Sequence, residues 1–246
     1  MIFKEKIMLN KKLIIVFLSF TATSPLVQAV EINKDLNLNF TATAMSEYRR
    51  SGFDLSDGKP VVQGLVSLAH KSGWDISAQI SNYDVVVVPA KYEIAYTAGY
   101  FHAFNEKVYV YSSLGQTIYP NWADGNVTEW FISANAYGAF FNYFYDWGKN
   151  SNAQYRYIGY KYNFPNDVWL DMRYGYNDLG MQLRNEDGDI RHNYSTRKVE
   201  LGKKYNDINY TLSYVDTDLT NSECTQIMAY GDKCSSTVVF GIKKTF

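Results

Sequence analysis

Long apolar runs are missing from this chain beyond its first 29 residues. The longest aliphatic stretch there is Val85 to Val88, far short of the roughly 18 consecutive apolar residues that a spanning helix needs. A membrane protein built from this chain must therefore cross with strands. An excess of basic charge is missing too: 24 Lys+Arg stand against 25 Asp+Glu, so the electrostatic footprint of a nucleic-acid binder is absent and no nucleic-acid partner is expected. Proline is scarce, with 5 in 246 residues, and there are only 3 histidines and 2 cysteines. That leaves little material for a histidine-based catalytic or metal centre, and no cofactor- or metal-binding set is expected. Aromatic residues, in contrast, are abundant at 17% of the chain, 22 of them tyrosine. Girdles of tyrosine at two membrane interfaces account for such a composition.

The two ends of the chain carry the most specific signals. Lys4, Lys6, Lys11 and Lys12 precede the apolar run Leu13 to Phe20, and Val27-Gln28-Ala29 supplies a small-residue cleavage site. This is the layout of a secretory signal peptide over residues 1–29, leaving a mature domain at 30–246 with 20 basic and 24 acidic residues and a formal charge of −4. At the other end Val238, Phe240, Ile242, Lys244 and Phe246 alternate with Val239, Gly241, Lys243 and Thr245. A chain closing on an aromatic in an alternating strand reads as the last strand of an outer-membrane barrel, with lipid on one face and the lumen on the other. That strand is also the expected point of engagement for the barrel-assembly machinery. Lys244 departs from the apolar face but can snorkel to water at a rim.

Between the ends the chain falls into stretches of about ten residues with period-two patterning. Trp74, Ile76, Ala78 and Ile80 alternate with Asp75, Ser77, Gln79 and Ser81, and the segments starting at Tyr92 and Val168 follow the same grammar. The predicted fold class is all-β, a transmembrane antiparallel up-and-down barrel of twelve strands with both termini periplasmic. The strands are placed at 36–49, 60–71, 74–83, 91–104, 107–119, 127–137, 139–147, 153–163, 167–178, 195–205, 207–217 and 237–246. Blurred alternation in the fifth, seventh and eighth leaves ten strands as the other count. Short links alternate with longer ones, including Asp178 to Tyr194 and Asp218 to Ser236, as periplasmic turns and outer loops do. A soluble β-sandwich would put Val, Ile and Leu on its buried face. Here Trp74, Tyr92, Tyr119, Trp122, Trp130, Trp147 and Tyr205 sit near strand ends, and with Phe246 they suit interfacial anchoring. Cys224 and Cys234, in a polar stretch of an exported chain, are expected to form a disulfide.

The segments Ser46-Glu47-Tyr48-Arg49-Arg50-Ser51-Gly52, Ser56-Asp57-Gly58-Lys59-Pro60 and His70-Lys71-Ser72-Gly73-Trp74 resemble the TorF porin family. Ser213-Tyr214-Val215-Asp216-Thr217-Asp218 and the closing strand resemble that family's C-terminal strand pair. The first segment departs at Arg50-Ser51, where the family usually has an aromatic and then an arginine. The resemblance implies an outer-membrane channel and carries no substrate.

Parity opposite to the apolar face places Glu47, Arg49, Asp75, Glu93, Glu129, Asp171 and Arg173 in the lumen as candidate pore-lining residues. Asp146, Arg156, Lys198, Glu200 and Lys204 join them from the less regular strands. These side chains either line a narrow mixed-charge path for passive diffusion of small solutes or ions, or pair locally and plug it, as Glu47 with Arg49 and Asp171 with Arg173 could. A purely basic lumen suited to acidic sugars is absent. An outer-membrane hydrolase is the competing enzyme class, but His70, His102 and His192 offer no nucleophile, base and carboxylate together, so no enzyme is expected. A third reading is a non-conducting structural or adhesive barrel acting through its outer loops. Its acidic outer loops could bind divalent cations that bridge to lipopolysaccharide, though Asn185-Glu186-Asp187-Gly188-Asp189 lacks the spacing of a calcium loop; in every reading outer-membrane lipid and lipopolysaccharide are expected partners.

Overall fold

The computed structural model describes residues 30–85, 87–149 and 152–246; the leader expected over 1–29 lies outside them. Its strands are β1 (Val30–Asn33), β2 (Leu36–Met45), β3 (Arg49–Arg50), β4 (Phe53–Asp54), β5 (Val61–His70), β6 (Trp74–Asn82), β7 (Tyr92–Asn105), β8 (Val108–Ile118), β9 (Val127–Ala136), β10 (Ala139–Gly148), β11 (Gln154–Phe164), β12 (Val168–Arg184), β13 (Ile190–Tyr205), β14 (Ile208–Thr217) and β15 (Thr237–Thr245); among the described residues there is one α-helix, α1 (Asn221–Met228), and two short 3-10 helices, Ala123–Gly125 and Gly231–Cys234.

β2 and β5 to β15 pair antiparallel with their neighbours in order, and β15 returns to β2 through Gly241↔Met45 to Thr245↔Thr41. Phe246 completes the seam by exchanging backbone hydrogen bonds with Phe40 at 2.7 and 3.2 Å. The result is a closed barrel of twelve strands with no free edge, which is the condition for placing backbone in hydrocarbon. The predicted twelve-strand count is therefore the correct one. β1 was not anticipated. It pairs with Leu36 to Leu38 of β2, the stretch just past the point where Phe246 ends the neighbouring ladder.

The wall follows the predicted parity. Ile76, Ile80, Leu114, Ile158, Leu201, Leu212 and Phe240 stand exposed on the outside, Ile76 at 57%, so the continuous apolar surface lies on the face that the alternation assigns to lipid. Trp74, Tyr92, Trp130, Trp147 and Tyr205 are exposed there as well. Tyr119 and Trp122 correct the girdle expectation, because both pack into a core formed by the loops.

Tight turns join the strands at one end. Asn166-Asp167 and Asn206-Asp207 carry positive φ at both central residues, as tight hairpin turns with the strands' own twist require. Longer connections gather at the other end, and three of them differ from the prediction. The first strand stops at Met45 rather than residue 49, because the chain then turns inward. The fifth connection shrinks to Asn185–Asp189, since β12 and β13 continue their ladder to Arg184↔Ile190. The sixth contains α1, whose capping box has Thr220 Oγ1 accepting from Glu223 N–H and Thr220 N–H donating to the Glu223 carboxylate.

Candidate functional site: the lumen and its inserted loop

After Met45 the chain folds into the barrel as the small hairpin β3–β4, with Arg49↔Asp54 and Arg50↔Phe53 as its pairs. Ser51 and Gly52 make the turn, both with positive φ. Only glycine fits the second position, because a Cβ there would fall 2.2 Å from Thr217 Cγ2 and 3.3 Å from Thr196 Cγ2. The loop reaches strands around the whole circumference. Tyr48 Oη donates to Glu93 of β7 at 2.8 Å, Arg50 Nη2 donates to Glu129 of β9 at 2.7 Å and lies 3.8 Å from Asp146 of β10, and Ser51 Oγ is 2.8 Å from Tyr157 Oη of β11. Thr196 and Thr217 belong to β13 and β14, and β13 stands opposite β7 in the ring. The hairpin thus crosses the lumen and narrows it from within.

Its base is tied down by charge. Arg49 Nη2 meets Glu47 at 3.2 Å, and Arg49 Nη1 donates to the carbonyls of Gly52, Lys233 and Ser235. The Asp54 carboxylate accepts from Ser56 N–H, Ser56 Oγ and Gly58 N–H. Above the hairpin the loops share a hydrophobic core of Phe53, Tyr83, Val85, Ala90, Tyr194, Cys224, Met228 and Cys234. Phe53 and Tyr194 have ring centroids 5.3 Å apart, and the Tyr194 hydroxyl donates to Ser51 O. The predicted Cys224–Cys234 disulfide is present inside this core. Arg191 makes a two-pronged contact with Glu223, both at 2.6 Å, and an ion pair with Asp218 at 3.2 Å. Asp218 and Glu223 therefore tie the sixth connection to the extended end of β13.

The predicted lining residues are brought to one axis. Glu47, Arg49, Glu93, Glu129 and Arg173 border a cavity of about 500 Å³ beneath the hairpin, together with Lys198 and Glu200. Asp171 and Arg173 border a second cavity of about 740 Å³ toward the short turns, and the two cavities share Asn142 and Arg173. Asp75 also faces inward and accepts from Tyr111 Oη at 3.2 Å. Both local pairs foreseen as neutralising are formed: Glu47 with Arg49, and Asp171 with Arg173 through two hydrogen bonds at 2.6 and 2.9 Å. Lys198 pairs with Glu200 at 2.8 Å. Glu93 is held by the hydroxyls of Tyr48 and Tyr119. Arg156 corrects the lumen assignment. It shares the parity of the exposed Ile158 and donates to Gln154 at 2.6 Å, whereas Gly159, on the other parity, faces Phe140 of the lumen.

Two features escaped the sequence reading. Arg50 falls between the first two predicted strands, and only the inward fold of that connection makes it the cation that bridges β9 and β10. Aromatic residues were read as girdle, yet many rings face inward from β7 to β11. Phe101 lies 5.4 Å from Tyr109, Tyr111 6.0 Å from Phe131, Phe131 stacks on Phe144 at 4.3 Å, and Phe144 is 6.0 Å from Tyr157. Parity alone could have flagged them, since Tyr109, Tyr111 and Phe131 alternate with the outward Val110 and Ile132.

Comparison with solved structures shows the same barrel fold. The KdgM porin in complex with disordered oligogalacturonate superimposes with a TM-score of 0.55 at 11% identity, over 85% of this chain and 98% of that one. The NanC porin gives 0.51, also at 11% identity, with the same shares covered. Among curated proteins none matches. The family model described as a bacterial protein of unknown function, Gcw_chp, matches residues 33–246, and the chain belongs to that family.

Proposed function

We propose that this protein is an outer-membrane channel for passive diffusion of small solutes or ions, narrowed by its first loop. The observation that carries the reading is the pair of abutting cavities inside a closed wall, lined by acidic, basic and amide side chains beside aromatic rings while the outside is apolar. In this reading the short-turn end and both termini face the periplasm. Residues 1–29 act as the export signal, the barrel-assembly machinery engages β15, and the exterior meets lipid and lipopolysaccharide. The resemblance to the TorF porins belongs to the same proposal. The KdgM structure is named for an oligogalacturonate, but an anionic oligosaccharide is disfavoured here, because Glu93, Glu129, Asp171 and Glu200 share the axis with Arg50, Arg173 and Lys198.

Single-channel recording of the refolded mature protein in a planar bilayer tests this. Steady discrete openings are expected, with a reversal potential under a salt gradient that shifts on charge reversal of Arg173. A folded, heat-modifiable barrel that stays silent sinks the channel reading. It would favour the second one, an adhesive barrel working through its loops, which the packed loop core supports.

The loop core also has a pH dependence. Hydrogen bonds from Lys233 and Lys59 hold the Asp57 carboxyl below its ordinary value, and Lys59 and Lys91 do the same for Asp84. These groups depress their folded pKa, so their contribution is complete above the unfolded carboxylate value near 3.8 and is lost as the pH falls through the lower folded value. The hydrogen-exchange protection factors of residues 52–60, 83–85 and 87–91, taken relative to intrinsic exchange at each pH, are therefore expected to fall below about pH 4, with those of the β-ladder unchanged. Equal protection at pH 3 and pH 7 would refute it.

A further inference from the structure

Aromatic rings exposed to an aqueous lumen are costly unless something uses their faces, because a barrel wall can satisfy its inward positions with small polar residues. β14 and β15 largely do so, with Thr211, Ser213 and Gly241 on the lumen beside Val215 and Val239. The opposite wall instead presents Tyr109, Tyr111, Phe131 and Phe140 to the 740 Å³ cavity, each half-buried rather than packed away. Ring contacts continue the surface upward to Phe144 and Tyr157, so the rings form a continuous track from the short-turn mouth to the hairpin. The volume falls within the range of about 300–1,000 Å³ typical of small-molecule sites.

The polar groups beside the track indicate what it accepts. Ser133, Asn135 and Asn142 border the same cavity, and amides and hydroxyls serve both donors and acceptors. Asn142 lies at the junction of the two cavities. Of the charged groups on this cavity, Arg173 is doubly bonded to Asp171 and lies 5.3 Å over the Phe140 ring, Lys161 and Lys107 lie 5.1 and 5.9 Å over Trp169 and Tyr137, and Glu106 sits in the turn at the mouth. A ligand that fits has flat faces of C–H bonds to lie on electron-rich rings, a rim of hydroxyls, and no net charge.

We infer that the lumen's aromatic wall is a binding track for neutral saccharides. The proposal rests on the channel reading for its role in transport, but binding can be measured separately. Refolded protein in detergent is titrated calorimetrically with maltohexaose and, in parallel, with trigalacturonate. Maltohexaose should bind, and bind more tightly than the acidic trimer. Phe131→Ala and Tyr111→Ala should each weaken it about tenfold, as loss of one stacking ring does elsewhere, while Tyr111→Phe, which keeps the ring and removes only its hydroxyl, should bind like the parent. Heat-modifiability establishes that each variant is folded. Absence of maltohexaose binding, preference for trigalacturonate, or unchanged affinity in both alanine variants would overturn the inference. Conductance without maltohexaose binding leaves the channel standing and removes the saccharide track; binding by an electrically silent barrel does the reverse.

Discussion

Arg50→Ala is expected to raise single-channel conductance and turn the pore toward cations. Arg50 is the one side chain of the inserted hairpin that ion-pairs with two wall strands at once, at 2.7 Å from Glu129 and 3.8 Å from Asp146. Removing its guanidinium frees the hairpin's widest cross-lumen contact and leaves those carboxylates, with Glu93 nearby, as an acidic constriction that attracts cations. It also costs stability, since a buried carboxylate that loses its partner is destabilised by several kcal/mol. Arg50 is about one-third exposed, 32% by side chain, so solvent screening lowers the figure to about 2 kcal/mol. Adding Glu129→Gln should recover part of that stability and reduce the cation preference, a combination that general loosening would not produce. Conductance and reversal potential unchanged from the parent would show that the hairpin does not limit the path.

Replacing both cysteines by alanine is expected to loosen the loop core without opening the barrel. The disulfide closes a ten-residue separation, and the loop-entropy model assigns such a link about 2.7 kcal/mol. Both cysteines are buried among Phe53, Tyr83 and Tyr194, so that stability belongs to the core joining the first, second and sixth connections. The β14–β15 ladder runs from Ile208↔Lys244 to Val215↔Thr237 and ends before α1, so barrel melting should be nearly unchanged while proteolysis between residues 218 and 236 becomes fast. Loop cleavage as slow as in the parent would mean that apolar packing alone holds the cap. The substitution separates the two functional readings as well. A channel whose outer access depends on these loops should show more frequent openings, whereas an adhesive barrel should lose attachment with its electrical behaviour unaltered.

Much of this architecture was legible because the environments on the two sides of a barrel strand are so different. A residue facing lipid and its neighbour facing the lumen must differ in polarity, so period two is written into segments such as Trp74–Asn82, and the boundaries of most strands follow to within a residue or two. The inward placement of Glu93, Glu129, Asp171 and Arg173 and the local pairing of Asp171 with Arg173 came from that same parity. Parity was weakest in β11, where Tyr155, Tyr157, Tyr160 and Tyr162 occupy both faces. There Arg156 was assigned to the wrong side, because tyrosine suits a lipid interface and a wet lumen about equally well.

The sequence by itself determined the barrel, the alternation of short and long connections and the disulfide, and narrowed the strand count to twelve or ten. Each of these depends on local patterning or on residue type. Only the tertiary structure decided that residues 46–58 turn inward, that β12 and β13 extend their ladder past the expected loop, and that Arg50 crosses to β9 and β10. Such features rest on contacts between segments distant in sequence, such as Tyr48 with Glu93 and Arg49 with Lys233 O. An inserted hairpin and an exposed loop share the same polar, glycine-containing composition, and what separates them is whether the far wall offers partners for the charges it carries inside.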